Sequence, residues 1–393
     1  MTRTATRPGP GFIVAAAFVG PGTVTACTLT GVAHGMTLLW VLLFAVAATI
    51  LLQEMSARLA LTSGKGLAEA LSALAPPWGR CAAWLTGVAV VLGVVAFEAG
   101  NLSGAGLGLA AVGGLSPAAW TAVVAVVAAA LLLTGSYRLI EGVLVACVAL
   151  MGLVFVVTAV AVGPALMELL TGLLVPRLPD AGVLPALALV GTTIVPYNVY
   201  LYASVVRERW AGPDALPAAR RDLVRAVIVG GIISAAIVIT AAAALRGAEV
   251  ASAAAMARQL EPVLGEWARL CFGAGFAIAG LTSAVTAPLA AAYVVTGLAG
   301  VEARLSGRLA RAVMLACLAT GAAFALGNVR PVELIFLAQA ANGIILPLIA
   351  LALLAALNDR SRLGIQANGW VANSLGLVVV LLCGALTVRV LTG

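Results

Sequence analysis

Charge is what this chain has least of. Of its 393 residues only 9% are Asp, Glu, Lys or Arg, while 63% are hydrophobic, a balance that no soluble globular domain carries. There is a single histidine, His34, which removes most acid–base and metal centres built on imidazole. The six cysteines, Cys27, Cys81, Cys147, Cys271, Cys317 and Cys383, stand far apart in or beside apolar runs. They have neither zinc nor disulfide spacing and read as small buried hydrophobes. With no Cys/His or Ser/His/Asp constellation either, an enzyme has nothing to work with.

What is present is apolar sequence in lengths that cross a bilayer. A spanning helix needs about 20 apolar residues, and the chain divides into eleven such runs, at about 11–33, 37–61, 82–112, 118–133, 139–162, 183–206, 226–245, 270–297, 309–327, 335–357 and 370–391. The expectation is an all-α integral membrane protein with no sizeable soluble domain. Residues 1–9 carry Arg3 and Arg7 but run straight into the first span, so a cleaved signal peptide is not expected. The formal charge of +7 does not point to nucleic acid, because the basic residues are scattered over the connections. With the N-terminus in the cytoplasm, sixteen of the 22 basic residues fall on the cytoplasmic side. Arg177, Arg246, Arg258, Arg269, Arg330 and Arg389 stay outside. The positive-inside rule then predicts a plasma-membrane protein with a cytoplasmic N-terminus and an extracytoplasmic C-terminus.

Two of the runs are interrupted, at Gly20-Pro21-Gly22-Thr23 and at Val195-Pro196-Tyr197-Asn198. A proline removes one backbone hydrogen bond and its ring blocks another. Inside hydrocarbon such a break is tolerated only where the freed groups face protein or a water-lined cavity. Two breaks at corresponding places in two halves of a membrane chain mark a transporter's central site.

Other residues stand out less sharply. Glu98 is a carboxylate near the middle of the third span, which by default suggests function; hydrogen bonding to Asn101 or burial as a packing residue is the other reading. The same span carries Gly100, Gly104, Gly106 and Gly108, which let neighbouring helices approach closely and predict a central helix. Glu54 and Arg58 are spaced to pair on one helix face. His34 reads as interfacial. Tyr197 and Tyr202 read either as an aromatic wall, able to meet a cation, or as core. The segment 207–225 holds five arginines and reads as a basic loop.

In order and spacing, Gly9-Pro10-Gly11-Phe12, the first break, Ser56-Ala57-Arg58-Leu59, Gly64-Lys65-Gly66-Leu67-Ala68-Glu69-Ala70, the second break through Tyr200-Leu201, and Leu281-Thr282-Ser283-Ala284-Val285-Thr286 resemble the natural resistance-associated macrophage protein (NRAMP) family over nearly the whole chain. The resemblance implies a LeuT-type fold with eleven transmembrane helices and two inverted five-helix repeats, 1–163 and 164–357, with broken helices 1 and 6. An additional helix follows in 358–393. It also implies alternating access and proton-coupled transport of divalent transition metals.

The site residues depart from that pattern. Where the family's first break supplies Asp and Asn to the metal, this chain has Gly20 and Thr23. The family's second break carries Met and His, and here those positions are Val195 and Tyr197. A further family histidine corresponds to Tyr202, and the Asp and Glu of the third span align with Glu98 and Asn101. The glutamine of the tenth span is kept, as Gln339. Arg308 and Arg311 lie near where family arginines continue the proton relay, or simply follow the positive-inside pattern.

The groups left at the breaks are backbone carbonyls near Gly20 and Thr192, the hydroxyls of Thr23, Thr192 and Thr193, and the amides of Asn198, Gln339 and Asn342. A dehydrated transition metal wants anionic, nitrogen or sulfur ligands, so no metal site and no cofactor is expected. The expected substrate is a small polar, cationic or zwitterionic organic solute. The alternative is a proton-coupled carrier of a divalent metal ion of the manganese, iron or magnesium type with a weakened site. A receptor or scaffold without transport has no feature in its favour. Expected partners are the substrate, the lipid bilayer and, through Glu98 with Asn101 and Tyr202, protons; nucleic acid is not among them.

Overall fold

The structure, a computed structural model, describes residues 9–11, 20–74, 77–134, 137–301 and 306–392. Arg3, Arg7, Phe12 and the rest of the first half of the first span, Pro76 and Arg304 lie outside the described residues, as do the side chains of Arg138 and Glu141. Among the described residues all regular structure is helical, and ten stretches are long and apolar enough to cross a membrane. The principal helices are α1 (Pro21–His34), α2 (Leu39–Ser63), α3 (Trp78–Val112), α4 (Pro117–Thr134), α5 (Tyr137–Val162), α6 (Val183–Thr193) and α7 (Pro196–Arg209). They continue with α8 (Leu216–Ala244), α9 (Ala268–Leu298), α10 (Arg308–Ala325), α11 (Pro331–Leu357) and α12 (Trp370–Thr392).

The sixth span is broken where its proline stands. α6 ends at Thr193, Ile194 and Val195 leave helical geometry (ψ 63° and 119°), and α7 restarts with Pro196 in its first turn. Proline suits that position because its missing N–H would have had no helical partner there and its φ is already helical. At the first break Gly20 is extended (φ −115°, ψ −170°) and caps α1, again with proline in the first turn.

The basic segment 207–225 is not all loop, which corrects the sequence-based expectation. α8 begins at Leu216, so Arg220, Arg221 and Arg225 are helical. Pro217 in the first turn supplies the start signal. Arg220 reaches Glu54 at 2.6 Å, and Glu54 also pairs with Arg58 at 3.2 Å. Arg58 in turn donates to the carbonyl of Gln366 (2.7 Å) and to Asn368 (2.8 Å). At the opposite end Arg389 meets Asp180 and Trp40 donates to the Arg177 carbonyl. Short helices at 166–174 and 253–264 lie in the connections before α6 and α9.

α3, with 35 residues, is the central helix. Its glycines are seats for different neighbours. A Cβ on Gly100 would lie 3.5 Å from Ile335 of α11, on Gly104 2.3 Å from Pro21 of α1, on Gly106 2.1 Å from Thr121 of α4, and on Gly108 2.6 Å from Ala277 of α9. The Gly104 seat brings α3 directly against the first break. Gly104→Ala therefore forces Pro21 away and is expected to cost about 1–3 kcal/mol of stability, visible as a lowered Tm of the solubilised protein; an unchanged Tm refutes the seat.

Candidate functional site

Both breaks open into the same part of the bundle, where two threonine side chains join them and α11 packs against each. Thr23, in the first turn of α1, and Thr192, in the last turn of α6, share a hydrogen bond between their hydroxyls at 2.8 Å. The Gln339 side chain of α11 lies against the first break, where a Cβ on Gly22 would fall 2.2 Å from its Nε2, while the α11 backbone lies against the second, where a Cβ on Gly191 would fall 1.9 Å from the main-chain carbonyl oxygen of Gln339. Gly22 and Gly191 are thus site residues that sequence reasoning missed. Their signal was a glycine next to each predicted threonine ligand, where a side chain would displace the glutamine at Gly22 and the α11 backbone at Gly191.

One turn along α11 from Gln339, Asn342 faces Gly93 of α3, with its Oδ1 2.9 Å from where a Cβ would stand. Across from it Tyr197, at the start of α7, stands edge-on to Phe97 of α3, with ring centroids 5.3 Å apart. Glu98 and Asn101 follow on α3, both fully buried. Gly321 of α10 seats on the stem of Glu98, 2.7 Å from its Cγ to a Cβ position. Arg308 and Arg311 are exposed near the start of α10. Ten residues of helix, about 15 Å at the usual rise, separate Arg311 from Gly321.

Most of these polar groups are short of partners. Among the described residues both carboxylate oxygens of Glu98, the amide nitrogen of Asn101, the Tyr197 hydroxyl, both side-chain polar atoms of Asn198 and of Asn342, and Oε1 of Gln339 are buried without a hydrogen bond. Buried orphans of this kind are rare because each one costs about 1–3 kcal/mol. Here they come from three helices that meet at the breaks, so they describe one polar region in the middle of the bundle.

The remaining expected residues divide. Gly20 and Val195 sit at the breaks and offer no side-chain ligand, and the Gly20 carbonyl accepts from Val24 N–H as the first bond of α1. Thr193 is occupied by its own helix, donating to Leu189 O, while its carbonyl accepts from Thr49 of α2. Tyr202 is not brought to the breaks. It packs with Ala57, Leu61 and Leu223 and donates its hydroxyl to the Ala219 carbonyl at 3.3 Å, so its aromatic face belongs to an apolar cluster between α2, α7 and α8. Below the second break, Tyr200, Ser204 and Arg207 lie at helical spacing along α7 and line a cleft with Glu69 and Tyr293; its empty volume, open mouth included, is ≈ 320 Å³. No three His, Cys, Asp or Glu side chains come together as a metal-binding group among the described residues.

Known proteins share this architecture. A family model described as "Natural resistance-associated macrophage protein-like" matches residues 11–393. A divalent metal cation transporter, MntH, of Pectobacterium carotovorum is 28% identical over 95% of this chain and 91% of its own length. The MntH of Mycobacterium tuberculosis is 31% identical over 74% of this chain and 70% of its own. In three dimensions a manganese transporter from Eremococcus coleocola superposes with a TM-score of 0.76 at 18% identity, covering 96% of this chain and 84% of that one. At that identity the likeness is one of fold.

The hydroxyl bridge between the breaks is testable without knowing the cargo. A double-mutant cycle of Thr23→Val and Thr192→Val, read by unfolding of the solubilised protein, is expected to show a coupling of about 0.5–1.5 kcal/mol. Strictly additive losses exclude the bridge.

Proposed function

The chain belongs to the natural resistance-associated macrophage protein-like family, and from that premise we propose that it is a secondary transporter carrying a divalent cation by alternating access around the two breaks. This reading takes the ion class from the relatives named as divalent metal cation transporters, ahead of the organic solute expected from the site residues alone. The observation that shapes it is the neutral oxygen set at the breaks: Thr23 bonded to Thr192, with Gln339 against Gly22. Hydroxyl and amide dipoles cannot replace the full shell of a bare transition metal. They suit a hard ion that keeps several of its waters, as magnesium does. The orphaned amides of Asn198 and Asn342 are then partners for that water shell.

In this reading Glu98 carries the coupling proton, with Asn101 beside it, and Arg308 and Arg311 take no part. The N-terminus faces the cytoplasm of a plasma-membrane protein, because the end of the bundle holding Arg58, Arg207, Arg220 and Arg362 carries most of the positive charge. The cleft beside α7 at that end is the inner approach to the site. Residues 1–163 and 164–357 act as the two repeats, with 358–393 appended.

A second reading has its own support. α1 and α7 both start at the breaks, so the positive ends of two helix dipoles meet there beside the carbonyl end of α6. That arrangement accommodates a small zwitterion, with Tyr197 and Phe97 as a wall.

Uptake into proteoliposomes separates them. Saturable manganese or magnesium uptake that is weakened by Gln339→Ala supports the divalent cation; saturable uptake of amines or amino acids without any of either ion overturns it. Glu98→Gln is expected to leave the fold intact, by an unchanged Tm, and to abolish the dependence of uptake on an imposed proton gradient. Unchanged gradient dependence assigns the carboxylate a structural role.

A further inference from the structure

The second break is held from outside by a helix that contributes no residue to the site. α2 presents Thr49 and Ser56, seven residues and therefore two turns apart on one face, to the interrupted span. The Thr49 hydroxyl lies 3.1 Å from the carbonyl oxygen of Thr193, the last residue before the break, and 2.7 Å from Ala45 O of its own helix, a three-centre arrangement. The Ser56 hydroxyl donates to the carbonyl of Val199, in the first turn and a half after the break, at 2.5 Å. Both side chains are fully buried. Thr192, whose hydroxyl meets Thr23, directly precedes the first contact, and Asn198 directly precedes the second.

A proline break frees carbonyls at the end of the first half-helix, and in a membrane interior those groups must find protein donors. α2 supplies one donor to each half. It is itself fixed, since Glu54, on the same helix between the two hydroxyls, is paired to Arg220 of α8. We propose that Thr49 and Ser56 are positioning residues for transport: they set the separation and angle of α6 and α7, and so the spacing of Thr192 and Asn198 around the cargo. This rests on the transport reading above, and it assigns work to two residues that never touch the substrate.

The test uses full-length protein and two independent readouts. In proteoliposomes with manganese as the probe, Thr49→Val and Ser56→Ala are each expected to raise KM about fivefold, the worth of one hydrogen bond, while the maximal rate changes little. Thr49→Ser, which keeps the hydroxyl, is expected to restore the wild-type KM. In solubilised protein without substrate, Thr49→Val is expected to speed hydrogen exchange of the amides of Ile194, Tyr197 and Asn198, and Thr49→Ser to leave it slow. A Thr49→Val protein with unchanged KM, or a Thr49→Ser protein impaired as badly as Thr49→Val, overturns the proposal. Unchanged exchange in Thr49→Val and Ser56→Ala overturns it as well. That second readout still decides if the wild type carries no manganese, in which case the transport reading fails on its own account.

Discussion

A peptide group surrounded by hydrocarbon has to find its hydrogen-bond partner within the protein, and this requirement shapes the molecule around residues 20–23 and 193–198. A continuous helix meets it automatically. Proline stands where a helix begins at both places, Pro21 and Pro196, and the chain encloses residues 20–23 and 193–198 in the middle of the bundle. There the Thr193 carbonyl accepts from Thr49, the Val199 carbonyl beyond the second break accepts from Ser56, and Thr23 and Thr192 bond each other across the two breaks. The polar region that results is a consequence of backbone chemistry before it is a binding site.

Glycine is the second ingredient. The Gln339 side chain can lie against the first break only because Gly22 leaves the volume that a methyl group would take, and the α11 backbone can approach the second only because Gly191 does the same. The same economy of space keeps α3 against Pro21 through Gly104. Small residues let backbones approach where lipid gives no hydrophobic force to drive helices together, and here they also decide which polar side chains reach the centre. The result is a site whose donors are dipoles: threonine hydroxyls, carboxamides and carbonyls, with Glu98 as the nearby carboxylate on α3.

Much of this was legible in the sequence. From the second span on, the spans were readable as runs of apolar residues, with ends within a few positions of those observed except at the start of α8, and the second break was readable from Pro196 because a proline's missing N–H is a local fact. The start of α8 was not, because three arginines masked a helix whose signal was Pro217. The short helices at 166–174 and 253–264 were too brief to show a period. At the site, Thr23, Thr192 and Gln339 were foreseen and come together, whereas Tyr202 could not be sorted from Tyr197. Five residues along a helix point in different directions, and only the packing of α2 and α8 decides which faces the breaks. The contact from Thr49 to Thr193 spans 144 residues of chain, and no short-range pattern encodes it.

The seating of α3 has a mechanical corollary. A rod set against four different neighbours within nine residues, three of them through glycines at 104, 106 and 108 that leave no room for a Cβ, can neither spin about its axis nor slide along it without unseating several contacts at once. This makes the two ends of α3 natural anchor points for spectroscopic labels when any travel of the other helices is measured.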